Sequence, residues 1–162
     1  MNYFIDSDIE EIVLRLSNSL LKMCGKKVLI TGAAGFLGRY FVAVFQQFNL
    51  KTDNPILIVA LDNYITSEHV KNNDPRKIDP NIEWIYGDAA IAANLPDKFD
   101  YVLHAAGIAS PEHYRAKPLE TINVAVNITR DILDVAKEQN SDRKSTRLNS
   151  SHVSESRMPS SA

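Results

Sequence analysis

The residues of this chain best suited to chemistry form one short run, Thr31-Gly32-Ala33-Ala34-Gly35-Phe36-Leu37-Gly38. It follows the apolar Lys27-Val28-Leu29-Ile30 directly and leads into a helical pattern. Glycines at that spacing, between a strand and a helix, are what a dinucleotide pyrophosphate requires. Gly32 lets the chain turn sharply off the strand, and Gly35 lets backbone N–H groups reach the phosphates with no Cβ in the way. Gly38 lets the helix pack closely on the sheet. A helix starting near Phe36 aims its free N–H groups and positive dipole end at the phosphates, so the anion is held without a lysine.

Asp62 ends the apolar run Ile56-Leu57-Ile58-Val59-Ala60-Leu61, 24 positions past Gly38. That spacing suits an acid that accepts hydrogen bonds from the adenosine ribose hydroxyls. An acid here repels a 2′-phosphate, and no arginine neighbours it in sequence, so the cofactor expected is NAD. The plain alternative is that Asp62 caps a turn with Asn63. Asp88, in Tyr86-Gly87-Asp88-Ala89, falls at the end of the next strand, where the adenine would lie, and a turn role is its alternative. His104-Ala105-Ala106-Gly107 closes a further strand with small residues that let backbone approach the middle of the cofactor. His104 at a buried strand end is read as a hydrogen-bonded structural residue rather than a catalyst.

These groups need a scaffold, and the hydrophobic pattern supplies one. Strands are expected at 27–31, 56–61, 82–86 and 100–104, and helices at 36–48 and 118–138, the second with Pro118 in its first turn. The continuous apolar run of the second strand suits a parallel strand buried on both faces. Residues 66–81, rich in Lys, Asn, Asp and Pro, read as a connection. The fold class is therefore α/β, a Rossmann-type doubly wound parallel sheet that stops after about four strands.

Ahead of it, residues 1–25 form an extra amphipathic helix, with Ser7-Asp8-Ile9-Glu10 as a capping box and Ile9, Ile12, Val13, Leu16, Leu20 and Met23 at helical spacing. Residues 26–140 make up the dinucleotide-binding domain. The serine-rich segment 141–162 carries no periodicity that could bury a strand or helix and is expected to be disordered. Its run Arg143-Lys144-Ser145-Thr146-Arg147-Leu148-Asn149-Ser150-Ser151-His152 resembles translated adaptor or vector sequence, so an artefactual end is expected.

Composition narrows the partners. With 162 residues, 44% hydrophobic and 23% charged, the chain can bury a real core. A net charge of −2 gives no basic excess for nucleic acid. The single cysteine, Cys24, excludes an internal disulfide and offers no metal cluster. No apolar stretch approaches a membrane span, and Asp6, Asp8, Glu10 and Glu11 stand where a basic targeting segment would. A cytoplasmic location is expected.

Gly32-Ala33-Ala34-Gly35-Phe36-Leu37-Gly38, Leu61-Asp62-Asn63, Gly87-Asp88 and His104-Ala105-Ala106-Gly107 together resemble the extended short-chain dehydrogenase/reductases, the NAD-dependent nucleotide-sugar epimerases and dehydratases. Ala109-Ser110-Pro111-Glu112-His113-Tyr114, followed by Pro118-Leu119-Glu120-Thr121, is most similar to the UDP-glucuronate decarboxylase branch. The resemblance spans about 26–140. It implies that Gly32, Gly35, Phe36, Leu37 and Gly38 contact the pyrophosphate, Asp62 and Asn63 the adenosine ribose, and Asp88 with Ala89 the adenine. It further implies that Ala105, Ala106 and Gly107 line the nicotinamide side, with Thr121 near the cofactor. Ser110, His113 and Tyr114 then fall where the sugar nucleotide is approached, and a homodimer through the helix near 118–138 is expected.

One departure bears on catalysis. Such enzymes oxidise a sugar hydroxyl by passing hydride to NAD⁺ while a tyrosine takes the hydroxyl proton, its pKa lowered by a lysine four positions on. Here Tyr3, Tyr40, Tyr64, Tyr86, Tyr101 and Tyr114 are followed at that spacing by Ser7, Val44, Glu68, Ala90, Ala105 and Pro118. No catalytic residue is assigned, and the chain itself is expected to be inactive. The family's common asparagine in the helix after strand four is also missing; Ala125 stands there, between Asn123 and Asn127. Two alternatives remain at this point, a non-catalytic nucleotide-sensing or scaffold protein on the same fold and a reductase of a non-sugar carbonyl.

Overall fold

Val28, Leu29 and Ile30 are enclosed almost completely, and they alternate between two cores. A strand so buried needs cover on both faces, which is the environment of a central parallel strand. In the computed structural model, which describes residues 6–65 and 78–139 and the main chain of 142–145, that strand is β1 (Lys27–Thr31). It lies at the centre of a five-stranded sheet of order β3-β2-β1-β4-β5, with every pairing parallel. The others are β2 (Leu57–Asp62), β3 (Ile82–Tyr86), β4 (Tyr101–His104) and β5 (Asp142–Ser145). β1 is flanked by β2 on one side and β4 on the other, so the sheet reverses its winding at β1 and opens a crevice at the carboxyl ends of these strands.

One core packs Val28, Ile30, Ile58 and Ala60 against Val42, Phe45 and Phe48 of α2 (Phe36–Asn49) and Ile9, Val13 and Leu20 of α1 (Asp6–Leu21). The amino-terminal helix thus packs within its own chain, on α2. Ser7 lies within α1 instead of capping it, and Asp6 and Asp8 stand in the first described turn. The other core joins Leu29, Val59, Leu61 and Val102 to Ile128, Ile132 and Ala136.

Hydrogen bonds close the connections. Asn49 at the end of α2 donates Nδ2–H to the Ile56 carbonyl (2.9 Å) and accepts the Ile56 N–H (2.8 Å), fixing the entry to β2. Asp100 accepts the Lys27 N–H at the first residue of β1 (2.9 Å). Gln139 accepts the Phe99 N–H (2.8 Å) and donates to the Asp97 carbonyl (3.3 Å).

Three further features differ from the expectation. The helix foreseen at 118–138 is divided into α4 (Pro118–Asn123), a π-turn (Val124–Ile128) and α5 (Thr129–Glu138), preceded by α3 (Pro111–Ala116). The segment 142–145, expected to carry no structure, pairs with β4 from Tyr101↔Asp142 to His104↔Ser145. Main-chain bonds to an open sheet edge need no apolar side chains, so a pattern search passes over such a strand. β2 extends one residue further than the apolar run, placing Asp62 opposite Tyr86. The connection at 66–81 lies outside the described residues for 66–77.

Candidate functional site

The glycine loop is clamped between two strand ends. Gly32 N–H donates to the Leu61 carbonyl (2.8 Å), and Ala105 N–H donates to the Thr31 carbonyl (2.9 Å). Gly32 turns with φ +71°, in the left-handed region, and a Cβ there would lie 2.5 Å from Ala106 N. At Gly38 a Cβ would meet the Gly32 carbonyl oxygen at 2.1 Å and Ala33 Cα at 2.7 Å, so α2 touches the loop backbone to backbone. Gly35 precedes α2 and has only the Gly32 oxygen, at 3.1 Å, near its missing Cβ. No side chain caps α2, whose first bond is Arg39 N–H to the Gly35 carbonyl (3.0 Å). The N–H groups of Phe36, Leu37 and Gly38 therefore have no acceptor within the helix.

The crevice at this loop is lined by Gly32, Gly35, Asp62, Asn63, Asp88, Ala89, Ala105, Ala106 and Gly107, which the sequence singled out. Gly107 faces open space, with no atom within 4 Å of its missing Cβ. Glu120, Asn123, Val124 and Ile128 form the opposite wall. Among the described residues lining it, none is basic. Four expected residues stand apart from this lining. The Phe36 and Leu37 side chains turn instead to an apolar cavity of about 620 Å³ beside α1, which leaves only their backbone to the crevice. Gly38 is spent on packing. Thr121 gives its hydroxyl to the Lys117 carbonyl (2.8 Å), because helical geometry puts Glu120, Asn123 and Val124 on the facing side and Thr121 off it. Ser110, His113 and Tyr114 on and before α3 do not line the crevice either.

Asp62 ties the strand end to the loop: Oδ2 accepts the Ala34 N–H (2.9 Å) and Oδ1 the Tyr64 N–H (2.6 Å). The second bond is the turn foreseen as the plain alternative, and it holds Tyr64 at φ 58°. Burial pushes the Asp62 carboxyl above the ordinary range, against the opposing pull of the N–H groups of Tyr64, Ala34 and Gly35. With three N–H groups on its lone pairs, the carboxylate keeps one for a further donor. Asp88 caps the short 3-10 helix Ala89–Asn94 through the Ala90 N–H (3.0 Å) and accepts from Asn63 Nδ2 (3.0 Å). It is a turn residue that also orients Asn63.

His104 is enclosed, 5% exposed, with Nδ1 2.7 Å from Thr31 Oγ1 and Nε2 3.0 Å from Thr129 Oγ1. Both ring nitrogens are engaged, as the structural reading requires. The π-turn wall was missed by sequence reasoning, since apolar spacing does not register one inserted residue; the signal available was the polar trio Asn123, Asn127 and Thr129 inside a helical pattern.

No helix among the described residues is long and apolar enough to cross a membrane, and no group of three His, Cys, Asp or Glu among them could hold a metal. Over 117 residues the chain is 32% identical to UDP-glucuronic acid decarboxylase 2 of Arabidopsis thaliana, a match covering 72% of this chain and 24% of that one. The chain thus spans about a quarter of that relative's length. In fold it is similar to an epimerase from Methanothermobacter thermautotrophicus (TM-score 0.60, 20% identity, 80% of this chain and 37% of that one). It is also similar to dTDP-glucose 4,6-dehydratase from Streptomyces venezuelae, solved with NAD and TYD bound (TM-score 0.59, 23% identity, 71% and 37%). The family model for NAD dependent epimerases and dehydratases matches residues 28–157, and with the glycine loop, Asp62 and the doubly wound sheet in place the chain belongs to the NAD dependent epimerase/dehydratase family.

Proposed function

We propose that this chain is the NAD-holding part of a nucleotide-sugar epimerase, dehydratase or decarboxylase, of the UDP-glucuronate decarboxylase branch. The observation that carries the reading is the pairing of an acidic ribose position with an uncapped helix start: Asp62 is fixed to the Ala34 N–H at the mouth of a loop whose first helical N–H groups point at no side chain. A dinucleotide fits these residues. The first turn of α2 supplies N–H donors to the pyrophosphate, and the missing Cβ of Gly35 leaves room for it. Asp62 accepts from the ribose hydroxyls, with Asn63 held beside it by Asp88. Ala105, Ala106 and Gly107 leave the floor of the crevice low enough for the nicotinamide end.

NAD supplies the hydride acceptor for transient oxidation at sugar C4. This chain's residues bind and orient it, while the proton of the sugar hydroxyl requires the Tyr-x-x-x-Lys pair that the sequence lacks. The chain alone is accordingly inactive. Leu119, Ile122, Val126 and Leu133, exposed along 118–138, suit pairing with a second copy. A cytoplasmic location accords with a nucleotide-sugar substrate.

Calorimetric titration with NAD and NADP tests the cofactor reading. Binding of NAD in preference to NADP is expected, since no basic residue lines the described crevice; tighter NADP, or no binding of either, overturns it. Incubation with UDP-glucuronate and NAD should release no CO₂. Sedimentation of the wild type and of Val126→Glu reports whether the exposed stripe pairs two copies.

A further inference from the structure

His104 is the last residue of β4 and lies in register with Thr31, the residue immediately before Gly32. Its two ring nitrogens reach in opposite directions, Nδ1 to Thr31 Oγ1 (2.7 Å) and Nε2 to Thr129 Oγ1 (3.0 Å). Thr129 in turn donates its hydroxyl proton to the Val124 carbonyl (2.9 Å), five residues back. That carbonyl opens the π-turn whose Val124 and Ile128, with Asn123 just ahead, form the wall opposite the glycine loop.

The bond from Thr129 to Val124 favours one placement of the ring proton. A hydroxyl has one proton, and Thr129 has given its own to Val124, so towards His104 it can only accept. Nε2 therefore carries hydrogen. In the neutral ring Nδ1 is then an acceptor, and Thr31 Oγ1–H donates to it. Hydrogen bonds thus run in one direction, from the end of β1, through the ring, to the carbonyl that sets the π-turn.

We propose that His104, as the neutral Nε2–H tautomer, is a positioning residue that fastens the π-turn to the strand end carrying the glycine loop and so sets the width of the dinucleotide crevice. This rests on the crevice being the dinucleotide site. An ordinary α-helical register would shift every residue after Val124 by about 100° around the axis, and the Thr129 hydroxyl could not then serve both the ring and the Val124 carbonyl. π-turns inside helices are frequent at functional sites.

The test uses the whole chain, with Thr129→Val, which keeps the shape and removes both bonds, and Thr129→Ser, which restores the hydroxyl. In ¹⁵N-edited spectra wild-type His104 should show a protonated Nε2 and an unprotonated Nδ1, and Thr129→Ser should keep that pattern. Thr129→Val should lose it, giving mixed tautomers. NAD affinity should fall about tenfold in Thr129→Val, as for a buried hydrogen bond lost, and stay within about twofold of wild type in Thr129→Ser. A protonated Nδ1 in the wild type overturns the proposal, as does a Thr129→Val chain that binds NAD like the wild type. A loss in Thr129→Val that Thr129→Ser does not rescue also overturns it. If the wild type binds no NAD, the functional reading fails and the crevice-setting role falls with it, while the tautomer spectrum separately decides whether the strut exists.

Discussion

Replacing Gly38 with alanine separates the packing role of the glycine loop from its ligand role. The added Cβ would lie 2.1 Å from the Gly32 oxygen, 2.7 Å from Ala33 Cα and 2.9 Å from the Ala33 carbonyl carbon. All three atoms are backbone, so no side chain can swing aside and α2 must move off the loop. Overpacking of this sort costs about 1–3 kcal/mol, and contact with backbone alone puts Gly38→Ala at the upper end. Alanine returns about 1 kcal/mol through helix propensity. A net destabilisation of about 2 kcal/mol remains, a fall in Tm of about 4–8 °C for a chain of this size. Gly107→Ala is the internal control, because its Cβ meets nothing within 4 Å, so its Tm should stay level or rise slightly and not fall. Thermal melts followed by far-UV circular dichroism give the stability, and NAD calorimetry at a temperature where both variants are folded gives the site. Gly38→Ala should also weaken NAD binding, since the displaced loop carries the N–H donors. A Gly38→Ala chain that melts and binds like the wild type would refute the account of the loop as a backbone-to-backbone contact.

NAD affinity should fall on acidification at a pH above that of an ordinary aspartate, because burial raises the Asp62 pKa over its usual 3.8 and protonation removes an acceptor; in Asp62→Asn this acid limb should vanish from the titration series. The same shift makes the folded state hold its proton longer than the unfolded chain, so Asp62 disfavours folding increasingly as pH rises through the window above 3.8. Asp100 has the opposite sign: the Lys27 N–H, with Lys26, lowers its pKa, so its contribution is present above 3.8 and disappears as pH falls through the depressed folded value. Urea melts of Asp100→Asn should show a small deficit at neutral pH that closes in acid. Asn49→Ala leaves both the N–H and the carbonyl of Ile56 without their partner, and should cost about 2 kcal/mol in a denaturant melt; an effect under about 0.5 kcal/mol would show that water replaces the clamp.

Sequence alone settled what depends on local chemistry. Val28-Leu29-Ile30 and Ile56–Leu61 read as buried parallel strands, and the glycines at 32, 35 and 38, set between a strand and a helix, read as a dinucleotide turn, so the sheet class and the loop were legible from spacing, although Leu57 lies exposed and β2 begins only there. Asp62 was legible for the same reason, as an acid at the end of a buried strand at a fixed distance from the loop.

Tertiary structure decided what depends on atoms far apart in the chain. It brought Asp88 to Asn63 and showed both to be turn residues beside the crevice. It turned the side chains of Phe36 and Leu37 away towards α1, and gave the Thr121 hydroxyl to the Lys117 carbonyl, outside the crevice lining. It also added β5 by main-chain pairing with β4, for which side-chain pattern gives no signal. The π-turn belongs here too. One inserted residue barely disturbs apolar periodicity, and its anchor, the hydroxyl of Thr129, finds its partner His104 only when the sheet has placed β4 beside β1. Spacing specifies which groups exist and which way each must face, whereas hydrogen-bond partners across 25 to 73 residues of chain are fixed only once the strands have paired.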